Sequence, residues 1–158
     1  MNVIEFPKST DTANHELKKT YVSLLLPALG GLVLISVLQN FFTVDFNLPP
    51  IPGFLSAAIF IVSAFTAIAL PIFYRTLFAN KMRGQTHTLA TDWLKFERRL
   101  IYIAMATPYL SLIARILELQ RFHLAGTLIM SFYAAYYYYP SKKRIDYDRS
   151  MFRVYTAP

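Results

Sequence analysis

From Tyr21 to Phe42 the chain reads YVSLLLPALGGLVLISVLQNFF, 22 residues without a charged side chain. At about 1.5 Å per residue, such a run is long enough to cross the roughly 30 Å hydrocarbon layer of a bilayer. It predicts a first transmembrane helix. A second run, Phe54 to Tyr74, holds 21 uncharged residues behind the Pro-rich LPPIPG. Two weaker runs follow: Leu100 to about Gln120 carries Arg115 and Glu118, and Phe122 to Tyr139 is 18 residues with His123 at its edge. Together these predict a hairpin that turns around Glu118 to His123. The pattern therefore predicts an all-α polytopic membrane protein, an antiparallel bundle of four transmembrane helices spanning about 21–42, 54–74, 100–120 and 122–139. Those spans occupy a transmembrane domain 21–140, between a polar N-terminal segment 1–20 and a basic tail 141–158.

The connection between helices 2 and 3 is patterned too. YRTLFANKMRGQ carries apolar residues beyond the second run, and TDWLKFERRL places Trp93, Phe96 and Leu100 at helical spacing beside Lys95, Arg98 and Arg99. This predicts an amphipathic helical extension lying at the headgroups, capped by Thr91 or Asp92, with Trp93 as an interface anchor. TVDFNLPPIPG reads as a stiff short loop. The N-terminal MNVIEFPKSTDTANHELKK reads as mobile apart from a short helix near Asn14. It lacks a small-residue cleavage pattern and is expected to be retained.

Charge orients these spans. Lys and Arg number three before the first run, six between the second and third, and five in the tail, so fourteen of sixteen fall on one side. The positive-inside rule makes that side cytoplasmic, with both termini there. The membrane would be the inner one in a bacterium, because barrels, not helices, span the outer one.

Composition changes the picture in three respects. The chain has 158 residues, 55% hydrophobic and 16% charged, and a mean hydropathy of +0.37, too apolar for a soluble domain of this length. Cysteine is absent, which excludes disulfides, thiolate metal sites and a cysteine nucleophile. The net charge of +7 is accounted for by topology and by attraction to anionic headgroups. Nucleic acid is not an expected partner, since no aromatic-interleaved basic groove accompanies the charges.

The run Tyr136, Tyr137, Tyr138 and Tyr139 ends the fourth span before Pro140. Successive residues advance about 100° around a helix, so four tyrosines make a ring suited to an interface belt. Lys142, Lys143 and Arg144 complete that anchor. Small residues recur on helix faces: Ala104, Thr107, Ser111 and Ala114 on the third, Thr127, Ser131 and Ala135 on the fourth, with Gly30 and Gly31 on the first. Close packing through small residues is how helices associate in lipid, so helices three and four are expected to form the tightest pair. Pro27, Pro71 and Pro108 interrupt the backbone bonding of three spans.

Candidate chemistry is sparse. His15, His87 and His123 lie at different depths and supply no facing axial pair for haem. The glycines form neither a dinucleotide fingerprint nor a phosphate loop. No cofactor, metal or catalytic residue is expected. The intramembrane charges Arg115 and Glu118 are three apart and can pair on one face, with Arg121 and His123 at the turn, making an outer-interface polar site. The sequence thus points to a non-catalytic integral membrane subunit or scaffold, with membrane protein partners or self-association. The alternative is a small oligomeric transporter or channel gated near Arg115 and Glu118. A membrane enzyme or quinone-site subunit would rest on scattered polar residues alone.

Overall fold

The computed structural model describes residues 10–41, 51–85 and 87–155. They form helices α1 (Thr10–Phe41), α2 (Gly53–Met82), α3 (Ala90–Ile116), α4 (Arg121–Tyr137) and α5 (Lys142–Met151), with short strands β1 (Thr88–Leu89) and β2 (Val154–Tyr155). α1, α2 and α3 are long and apolar enough to cross a membrane. α4 is 17 residues long and packs on α2 and α3. The expected stiff loop lies, up to Pro50, outside the described residues, as does the chain before Thr10.

α3 is the hub. It contacts α1, α2 and α4, and its small residues Ala104, Thr107, Ser111 and Ala114 are all buried. From α4, Thr127, Ser131 and Ala134 face inward, a step of four then three, which follows the 3.6-residue turn. Ser111 Oγ donates to the Thr127 carbonyl at 2.9 Å. Ala135, which the strict four-residue spacing had placed on this face, is only half-buried; its carbonyl accepts the Tyr21 hydroxyl of α1 at 2.6 Å.

α1 lies parallel to α3. Arg98 donates to Glu16 at 2.9 Å, the Tyr109 hydroxyl to the Leu24 carbonyl at 2.8 Å and Gln39 to Glu118, just past the end of α3, at 3.2 Å, in the same order along both segments. Gly31 faces the Leu112 side chain, whereas Gly30 points away with open space around it. α2 runs opposite to α3: Phe78 stacks on Phe96, and Thr66 meets Thr107 Oγ1 at 3.1 Å.

Pro71 is accommodated by a change of pitch. Its missing amide leaves the carbonyl four residues back without a donor, and the preceding Phe65–Ala69 widens to a π turn in which Leu70 N–H reaches Phe65 O. Thr66 Oγ1 then bonds the carbonyls of Val62 and Ser63 at 3.0 and 3.1 Å.

Two polar segments are more ordered than their composition suggested. α1 starts at Thr10 and runs unbroken into the first apolar run, so the short helix expected near Asn14 is its first turns. Ala13, Leu17 and Tyr21, four residues apart, continue a buried stripe back through the polar sequence. The tail also folds back. Ser141 Oγ caps α5 by accepting from Arg144 N–H at 3.3 Å, Ile145 and Asp148 are buried, and β2 pairs in parallel with β1, Thr88 opposite Val154. The tail closes the basic end of the bundle.

Candidate functional site

Beneath α5 two carboxylates and two guanidiniums converge. Arg75 enters from α2 just past its apolar run, and its Nη2 donates to Asp148 Oδ1 on α5. Arg144, one turn before Asp148, sits with Nη2 3.5 Å from Glu97 Oε2 on α3 and Nε 3.7 Å from Asp148 Oδ2. Glu97 is 3% exposed and Asp148 1%. With both carboxylates ionised the four charges cancel, and they link three helices that the sequence keeps far apart.

Aromatic rings fill the remaining space. Tyr74 and Phe78 stack on Phe96 at 5.4 and 4.1 Å between centroids. Phe152 meets Phe96 edge-on at 5.6 Å. Cations cover ring faces: Arg75 over Phe152, Arg144 over Tyr138 and Arg149 over Trp93, at 5.9, 5.3 and 5.7 Å. Glu97 Oε1, Asp148 Oδ2 and the Trp93 indole nitrogen are buried without a hydrogen-bond partner among the described residues.

Glu97 precedes the apolar stretch of α3, which begins at Leu100. Burial pushes its carboxyl from the ordinary 4.5 up to about 7; Arg144 opposes the rise and Asp148 adds to it. The folded protein thus holds a proton at Glu97 more tightly than the unfolded chain, so stability declines as pH rises from about 4.5 to about 7. In Glu97→Gln this part of the slope disappears. Unfolding midpoints of both proteins across that range check it; parallel curves would refute the assignment.

The arrangement can hold a proton and clamp α5. Among the described residues no group of His, Asp and Glu is placed to hold a metal ion.

The other sequence candidates are distributed as follows. α3 ends at Ile116, so Glu118 lies past the helix with φ 49°. Helical i,i+3 geometry does not apply there, and Glu118 accepts from Gln39 instead of pairing with Arg115. Arg121 opens α4 on the surface. His123 lies 6.2 Å from Phe60 and 5.6 Å from Phe122, between ring centroids. Among the described residues no hydrogen bond or ion pair joins these four side chains to one another.

At the basic end the helix stops at Tyr137, two residues and so about half a turn short of the end of the tyrosine run. Tyr136, Tyr137 and Tyr139 are 88%, 51% and 45% exposed, while Tyr138 turns inward at 3%. Lys142 pairs with Asp11 at 3.3 Å, Lys143 is exposed, and Arg144 belongs to the ion cluster. Trp93, expected as an interface anchor, is 1% exposed and lies in the core. α5 covers it, and no feature of its own helix could announce that cover.

The cluster itself was missed by the sequence reading. Its one signal is the pair of acids inside basic stretches, Glu97 in KFERRL and Asp148 in DYDRS, with Ile145, Asp148 and Phe152 on one helical face. No known protein family, curated protein or solved structure matches the chain.

Proposed function

We propose that the protein is a non-catalytic integral membrane subunit or scaffold of a larger membrane protein complex. In this reading it has four transmembrane helices, α4 being a short fourth span, with both termini cytoplasmic and, in a bacterium, an inner-membrane location. The basic end then faces the cytoplasm, and the exposed tyrosines around Tyr136 sit at the headgroups.

One observation carries the reading. α1 packs on the bundle through α3, while its outer side presents Leu26, Leu29, Gly30, Val33, Leu34 and Val37 around an apolar groove of about 500 Å³. Gly30 notches that groove. A glycine notch on a lipid-level helix lets a neighbouring helix approach closely, so the occupant we assign is a transmembrane helix of a partner protein.

Purification in gentle detergent, with mass spectrometry of what stays bound, tests this. Deleting the tail would strip internal contacts, so Gly30→Leu is the better probe: a Cβ there meets nothing within 4 Å among the described residues. The expected result is a stoichiometric partner with wild type and its loss with Gly30→Leu, at an unchanged or slightly raised unfolding midpoint. Recovery of the chain alone, or only as a homo-oligomer, would overturn the reading.

A second reading, a small oligomeric transporter or channel, is favoured by the hydroxyls of Ser56, Ser63, Thr66, Thr107, Ser111 and Thr127 between α2, α3 and α4. The Ser56 and Ser63 hydroxyls are buried without a partner among the described residues. Substrate-dependent flux in proteoliposomes containing this chain alone would support it.

A further inference from the structure

We propose that the groove between α2 and α3 at the basic end is a binding site for the phosphate headgroup of an anionic glycerophospholipid. The inference rests on the membrane reading above. The groove holds about 350 Å³ and is lined by Lys81 from α2 and Lys95 and Arg99 from α3, with Asp92 at its rim. Its apolar lining includes Phe96 with Tyr74 and Phe78, both of which stack on it.

The cations are what set this groove apart from the ion cluster beside it. Arg75 and Arg144 are consumed by Asp148 and Glu97, and Arg98 by Glu16. Lys81, Lys95 and Arg99 make no ion pair or hydrogen bond among the described residues, yet they come from two helices to one cavity. With Asp92 counted, the lining keeps two net positive charges.

A phosphodiester matches that chemistry. Arg and Lys side chains donate to phosphate oxygens, and basic pockets between membrane helices hold anionic headgroups at the inner face. The apolar side of the site selects a lipid over a free phosphate. Leu77 lines the groove and is 51% exposed, and Phe73 on the same helix is 59% exposed, so an acyl chain leaving the headgroup has an apolar path along α2. Tyr74 and Phe96 add aromatic surface to the same lining.

The test uses the purified full chain in detergent, given phosphatidylglycerol and phosphatidylcholine with identical acyl chains, and native mass spectrometry of retained lipid. Wild type is expected to retain phosphatidylglycerol over phosphatidylcholine by on the order of tenfold or more. Lys81→Gln/Lys95→Gln/Arg99→Gln should lose that preference. Lys19→Gln/Lys143→Gln/Arg153→Gln, which removes the same charge elsewhere, should keep it. Equal retention of both lipids by wild type, or equal loss in both triple variants, would overturn the site. Displacement of the lipid by excess inorganic phosphate would overturn the lipid as its ligand. Alkaline carbonate extraction of native membranes separates the two readings. A chain released by carbonate sinks both, whereas a chain that stays embedded without lipid preference sinks only the groove.

Discussion

Asp148→Ala is expected to lower the unfolding free energy by about 3 kcal/mol and to shift the Trp93 fluorescence to the red. Removing one member of a buried ion pair costs roughly 3–5 kcal/mol, mostly because its partner stays buried and uncompensated. Asp148 is 1% exposed and serves both Arg75 and Arg144. The Arg75 side chain is 28% exposed, so it regains some water when its partner goes, and the loss falls at the low end of that range. The optical readout follows from position. Trp93 is the chain's single tryptophan, is 1% exposed, and is covered by Arg149 of the same helix as Asp148. If Asp148 holds α5 down, its loss wets the indole. Lys142→Gln is the contrast, because the Lys142–Asp11 pair has side chains 65% and 77% exposed. Its loss should cost under about 0.5 kcal/mol. An Asp148→Ala protein with unchanged emission and midpoint would mean that aromatic packing alone seats α5.

The apolar helices were legible because a run of about twenty apolar residues, long enough to cross a membrane, is recognised without knowledge of its neighbours. α1 and α2 announce themselves in this way, and α3, which carries Arg115, does so more weakly. The inward stripes of α3 and α4 were legible for the same reason of local spacing, with Ala134 replacing Ala135 once the true turn is used. What depended on distant chain was not legible. Leu17 is fully buried inside a polar stretch because α1 continues along α3, where Glu16 meets Arg98. Glu97 and Asp148 read as ordinary surface acids, since each lies among basic residues on a charged segment. Their burial arises only when α5, a helix of ten residues, folds over α2 and α3. The expected Arg115 and Glu118 pair failed on a boundary: the helix ends at Ile116, two residues before Glu118, which moves Glu118 out of register, and helix ends are the least determined feature of a sequence pattern.

Gly126→Leu should destabilise the protein by about 2 kcal/mol, although leucine is the better helix former. A methyl group on Gly126 would stand 2.5 and 2.8 Å from two ring carbons of Phe60 on α2. Overpacking of this kind costs roughly 1–3 kcal/mol, and leucine adds three more carbons to the clash. Against this, replacing a mid-helix glycine gains about 1 kcal/mol of propensity. Phe60 is half-buried, so its ring can swing outward, but it also packs edge-on with Phe122 at 6.4 Å. Moving it therefore loosens the start of α4 as well. Gly30→Leu carries the same propensity gain with open space around it, so it should leave the midpoint unchanged or raise it slightly. Denaturant titrations of the two variants separate backbone propensity from contact. The cycle closes with Phe60→Ala: in that background Gly126→Leu should lose most of its effect, a coupling expected only for residues that touch. Additive losses would place the strain of Gly126→Leu somewhere other than Phe60, and would undo the assignment of Gly126 as the point where α2 and α4 approach.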